Sequence, residues 1–124
     1  MRIAVALAAV AVTLVVAAGA QSAYRNRYCS PTGDYCTSAT PSGGAVKLRL
    51  ATFSFSGRYK LCVKPSTGVR ICKTFPLRRR SGQWVSEVLW YRHFPNRGTG
   101  LYTVTWFYGG QRLGPPLTFA IANS

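Results

Sequence analysis

Asp34, Glu87 and His93 are the side chains that could move a proton near neutral pH. Acid–base catalysis needs such groups within hydrogen-bond reach of one substrate. A Ser–His93–Asp34 arrangement would also need a serine raised on a sharp turn, and the chain has no Gly-x-Ser-x-Gly elbow. Paired carboxylates could only be Asp34 with Glu87, one in a Pro-Thr-Gly-Asp turn and one inside a strand pattern. Asp34 is expected as an Asx-type turn residue, and Glu87 as the partner of one of the many arginines. His93 precedes Phe94-Pro95 and is expected to pack or hydrogen-bond. The expectation is a protein that is not an enzyme and carries no cofactor.

Cysteine is the other reactive type, at Cys29, Cys36, Cys62 and Cys72. The intervening stretches of six and nine residues are not the short Cys-x₂₋₄-Cys knuckle of a zinc site. Of the three possible pairings, the two local ones are expected, Cys29 with Cys36 and Cys62 with Cys72. Each loop restricts the unfolded chain by about 2.5–3 kcal/mol on the loop-entropy account. Oxidation would also remove any thiolate nucleophile.

Charge supplies the remaining chemistry. Sixteen Lys and Arg face two Asp and Glu, and loss of Arg2 with the first 20 residues would leave a net +13. Such a field draws anions and weakens with salt. Arg2 and the uncharged run Ile3–Ala20, ending in Ala18-Gly19-Ala20, read as a signal peptide over residues 1–20, cleaved before Gln21. The alternative is an uncleaved membrane anchor. The chain is therefore expected outside the cell, with no membrane span after cleavage.

These groups must be positioned by strands. Residues 21–44 read as an irregular, polar, disulfide-bearing lead-in, and residues 45–124 as one all-β domain. The period there is close to two, with strands expected at 46–55, 58–64, 69–76, 83–93, 101–108 and 116–122 and no helix. Tyr59, Leu61 and Val63 alternate with Arg58, Lys60, Cys62 and Lys64, and a turn near Thr67 sets Cys62 opposite Cys72. Lys73 falls on the apolar phase, which points to an edge or a bulge. Parity slips between Leu50 and Ala51, with Ala51, Phe53 and Phe55 taking the apolar phase, which predicts a bulge or bend there. The 83–93 run is apolar on both phases, as in a strand covered on both sides or an interior strand twisting past an edge.

Gly98-Thr99-Gly100 followed by Tyr102-x-Val104-x-Trp106 resembles the tyrosine-corner strand of immunoglobulin-like sandwiches. That resemblance implies a two-sheet sandwich of six or seven strands, with the Tyr102 hydroxyl bonded to the preceding loop. Val104 stands where antibody domains have an intersheet cysteine, and the usual strand-C tryptophan is missing. With its Cys-Ser-Pro-Thr-Gly-Asp-Tyr-Cys lead-in, the chain also resembles short exported immunoglobulin-like proteins of actinobacteria. This second resemblance implies a fold and a compartment only.

Strand parity places Lys47, Arg49, Arg58, Lys60, Lys64 and Arg70 outward, and if their strands share a sheet they form one basic face. Arg78, Arg79 and Arg80 form a further basic run in the loop before Ser81-Gly82. The functional expectation is a secreted binding or structural module that associates with anionic cell-envelope or extracellular polymers, or with an extracellular protein. No motif of sequence-specific nucleic-acid readout is present. The alternative is a secreted inhibitor or toxin-like effector acting through the disulfide-closed 62–72 hairpin.

Overall fold

The computed structural model describes residues 25–42, 45–95 and 98–122, so the expected signal peptide lies outside the described residues. In chain order the elements are β1 (Arg27–Cys29), β2 (Tyr35–Ser42), β3 (Ala45–Thr52), β4 (Arg58–Pro65), β5 (Ile71–Pro76), β6 (Arg78–Arg80) and β7 (Gln83–Leu89). A single helical turn, α1 (Trp90–His93), is followed by β8 (Gly100–Tyr108), β9 (Gln111–Arg112) and β10 (Leu117–Ile121). The first sheet runs β1-β2-β3-β7-β6 and the second β10-β8-β4-β5, with β9 also on β8. Every pairing is antiparallel. This is the two-sheet all-β sandwich that the tyrosine-corner resemblance implies, within the sandwich-or-barrel class that the strand period predicts. Seven of the described strands have five or more residues; β1, β6 and β9 are shorter.

The period-2 pattern explains the layers. Val46, Leu48 and Leu50 of β3 face inward from the first sheet. Tyr59, Leu61 and Val63 of β4 and Tyr102, Val104 and Trp106 of β8 face them from the second. All belong to one buried cluster. Each such aliphatic side chain contributes about 1.5–3 kcal/mol relative to exposure. The Tyr59 hydroxyl meets Ser86 Oγ at 2.8 Å, tying β4 of one sheet to β7 of the other across the core.

The tyrosine corner is present. Tyr102 donates its hydroxyl to the Gly98 carbonyl at 2.7 Å. Its ring stacks on Phe119, its register partner on β10, with centroids 5.1 Å apart. Trp90 meets the Tyr102 ring edge-on at 4.9 Å. Gly109 (φ 60°) and Gly110 (φ 82°) make the two-residue turn from β8 to β9. Both central positions lie in the left-handed region that a type I′ turn requires.

Both local disulfides form, Cys29–Cys36 and Cys62–Cys72, each between register partners on adjacent strands. The first corrects the reading of residues 21–44 as irregular, because it closes the β1–β2 hairpin and β2 pairs along its whole length with β3. The inward phase of β2 includes Thr37 and Ala39, both buried but neither large and apolar, so the strand left little hydrophobic signal.

Three other expectations change. No bulge interrupts β3, whose register runs unbroken to Thr52. The strand stops there; Phe53 is 64% exposed, and half-buried Phe55 stacks on Tyr108 at 4.1 Å. The expected 83–93 strand ends at Leu89 and a helical turn follows, because Trp90 and Phe94, four residues apart, bury together. The Arg78-Arg79-Arg80 run is an edge strand, β6, rather than a loop. Lys73 does sit on an edge: it pairs with buried Leu61 on β5, the last strand of its sheet, and stays exposed. A charge on the inward phase of an edge strand obstructs edge-to-edge pairing.

Candidate functional site

The six residues expected on one basic face divide between two. Lys47 and Arg49 lie on β3 in the first sheet, whereas Arg58, Lys60 and Lys64 lie on β4 in the second, with Arg70 just before β5. The physical reason is the β3–β4 connection. It carries the chain from one layer to the other instead of closing a hairpin within one sheet. Parity set these side chains outward and could not say on which side of the molecule.

On the first sheet Glu87 is the register partner of Arg49. It receives Arg49 Nε at 3.1 Å, Arg80 Nη1 at 3.5 Å and Lys47 Nζ at 3.9 Å. Among the described residues these are all the ion pairs, and every one ends on this carboxylate. Arg79, beside Arg80, holds its guanidinium 5.6 Å from the Trp84 ring centre. The arginines of β6 therefore cover an edge, and Arg79 and Arg80 partner neighbouring groups.

Among the described residues the second sheet has no Asp or Glu on its outer face, since Asp34 lies in the β1–β2 turn and Glu87 on the other sheet. Lys60 of β4, Phe107 of β8 and Arg112 of β9 form a row across three strands. Lys60 Nζ lies 4.9 Å and the Arg70 guanidinium carbon 5.9 Å from the Phe107 ring centre. Such contacts hold a cation without neutralising it. Arg58 donates to the Thr74 carbonyl and Lys64 to the Pro65 carbonyl, both at 3.3 Å. Phe107 and Arg112 were absent from the sequence reading. The signal for Phe107 was present, because it holds the outward phase of a strand whose inward phase is Tyr102, Val104 and Trp106.

A shallow groove of about 630 Å³ follows β8 on this face. Thr103, Thr105 and Phe107 contribute the β8 side chains, Lys64 and Arg70 line one side, and Arg112 and Pro116 the other. Next to it the Cys62–Cys72 bridge closes a hairpin whose tip leaves Val69 76% exposed beside exposed Arg70.

Of the three acid–base groups, Glu87 and His93 line one open cleft beside the β6 arginines. There Glu87 is held in ion pairs with Lys47, Arg49 and Arg80, whereas Asp34 lies apart from His93. Asp34 precedes β2 at the Tyr35–Thr52–Trp84 end of the first sheet, and His93 follows β7 past the Lys47–Leu89 end. At ~3.4 Å per residue, those ends are ~17 Å apart. His93 is exposed, its ring edge-on to Phe75 at 5.2 Å. Burial pushes the Tyr59 phenol up to about 12, against a smaller lowering by its Ser86 bond. Among the described residues, no helix is long and apolar enough to cross a membrane.

No protein-family model matches this chain, and no curated protein matches it. Among solved structures, one described as the crystal structure of a Br derivative of BhCBM56 superposes with a TM-score of 0.46. The two chains are 18% identical, over 77% of this chain and 99% of that one. The fold assigned to this chain rests on its own strand pairing. It is a disulfide-bearing all-β sandwich.

Proposed function

We propose that this is a secreted, non-enzymatic module that associates with anionic polymers through the outer face of its second sheet. One observation carries the reading: Arg58, Lys60, Lys64, Arg70 and Arg112 surround one sheet face that, among the described residues, holds no Asp or Glu. Cations held by an aromatic ring and by backbone carbonyls keep their charge for a ligand. Binding then draws on counterion release and falls steeply with salt. Export is supported by the two disulfides, which persist in oxidising compartments, and by the uncharged Ile3–Ala20 run that reads as a signal peptide.

The test is retention of the exported protein on immobilised polyphosphate across a salt gradient. It compares Arg58→Gln/Lys60→Gln/Lys64→Gln/Arg70→Gln with Lys47→Gln/Arg49→Gln/Arg78→Gln/Arg80→Gln, which removes the same charge from the other sheet. The first variant should elute far earlier, with its slope of log affinity against log salt reduced by about 3. Equal elution of the two variants would mean that total charge alone governs retention and that the face is wrong. No retention of the parent at low salt would end the anionic-polymer reading.

The hairpin tip favours a second reading, a protein partner or inhibited protease engaged by the bridged 62–72 loop. Exposed Val69 beside Arg70 is the feature that supports it. Here Val69→Ser and Arg70→Gln should abolish capture of a partner, while the Arg58 and Lys60 substitutions leave it unchanged.

A further inference from the structure

We infer that the groove along β8 takes an acidic polysaccharide, with Phe107 as the platform for a sugar ring and Arg70 and Arg112 as clamps for its anionic substituents. The inference rests on the anionic-polymer reading above and names the ligand class. Thr103, Thr105 and Phe107 are outward residues spaced two apart on one strand. At ~3.4 Å per residue they extend over ~14 Å, enough to accommodate a short run of linked rings. Phe107 is the one aromatic side chain among the outward positions of β4, β5 and β8, and it lies half-buried among cations. Arg112 is its direct cross-strand partner on one side, and the Arg70 guanidinium approaches it from the other.

A pyranose offers an apolar C–H face, a rim of hydroxyls and, in an acidic glycan, a carboxylate or sulfate at the ring edge. The Phe107 ring, against which Lys60 and Arg70 lean in the free protein, suits the first once those cations turn to the ligand's anionic groups. The Thr103 and Thr105 hydroxyls suit the second, and a planar guanidinium the third, by two parallel hydrogen bonds. A bare polyphosphate would leave the ring and the hydroxyls unused. Single-stranded nucleic acid requires successive stacking platforms. Here the positions after Phe107 along the groove are threonines, which suit hydroxyls better than bases.

The experiment measures affinity of the full exported protein for polygalacturonate, a heparin-type sulfated glycan, polyphosphate and oligo-dT at matched ionic strength. Parent, Phe107→Leu and Thr105→Val are compared, with the thermal midpoint as folding control. The parent should prefer at least one acidic glycan over polyphosphate of equal charge number by about tenfold. Phe107→Leu should remove that margin while shifting polyphosphate affinity by less than about twofold. Backbone amide NMR shifts of Thr103, Thr105 and Phe107 on titration with the glycan report the same contact without any variant. Equal loss of glycan and polyphosphate binding in Phe107→Leu would show that the ring only holds cations. The inference would then fall while the basic face stands. Strongest binding of oligo-dT, lost with Phe107→Leu, would replace the glycan with a nucleic acid. If Arg70→Gln/Arg112→Gln changes no affinity at all, the underlying anionic-polymer reading fails as well.

Discussion

The outer faces of the two sheets both carry many basic side chains, and they use them differently. On the first, Lys47, Arg49 and Arg80 converge on Glu87, which sits beside Arg49 in the ladder. Each gives that carboxylate one contact, so this face carries a local counter-charge that the second face lacks. On the second, Lys60 and Arg70 lean on Phe107, and Arg58 and Lys64 on carbonyl oxygens. The comparison teaches that one carboxylate in the right register, more than the number of cations, decides whether a basic face stays open to a ligand.

The largest expected effect separates the disulfides. Removing Cys62–Cys72 by Cys62→Ala/Cys72→Ala should cost about 2.5–3 kcal/mol in denaturant melts, as should removing Cys29–Cys36. Only the first should also weaken polyphosphate binding, because Lys64 and Arg70 ride on the hairpin it closes. Equal binding by the two double variants would contradict the assignment of the ligand face.

The tie between the faces should show itself in alkali. Tyr59, buried with its phenol pushed up to about 12, holds its proton in the folded state, while the unfolded chain releases it near the ordinary value of 10. The stability tied to this proton is fully present below pH 10 and is lost as pH rises towards 12, up to about 2–3 kcal/mol. Urea melts across that window should show the loss, and Tyr59→Phe should flatten it. A Tyr59→Phe variant with the same alkaline slope would assign the effect to other groups.

Moving the carboxylate tests the comparison directly. Thr105→Glu places an acid on the second face, opposite Cys62 and flanked by the cationic rows. Salt-gradient retention on polyphosphate should fall by about tenfold in affinity. Glu87→Gln does the reverse on the first face by releasing Lys47, Arg49 and Arg80. It should raise low-salt affinity by about two- to threefold with little change in melting temperature. Opposite signs for the two substitutions would support the contrast between the faces, and the same sign would break it.

Several features were legible in the sequence because they are local. Cys62 and Cys72 straddle a short turn, and their opposition follows from counting residues outward from it. Tyr102-x-Val104-x-Trp106 carries its own parity, and the corner bond of Tyr102 is what the resemblance to the immunoglobulin-like tyrosine corner implies. Strand β2 was not legible, since its inward Thr37 and Ala39 are too small and polar to register as a hydrophobic phase. The helical turn at Trp90–His93 hid in a run whose large residues satisfied both phases of a strand.

The sequence by itself determined which side chains of β4, β5 and β8 point out of the sandwich, because that depends only on a two-residue period along a single strand. It pointed to Cys62–Cys72 for the same reason, to Cys29–Cys36 because they bracket a short turn, and to the excess of positive charge by composition. Which layer each strand joins was decided only by the tertiary structure. The connection between β3 and β4 can turn back or cross the core with similar residues, and the burial of two facing apolar layers selects the crossing. That choice separated Lys47 and Arg49 from Arg58, Lys60, Lys64 and Arg70, gave Glu87 to the first group, and set Phe107 and Arg112 beside the second.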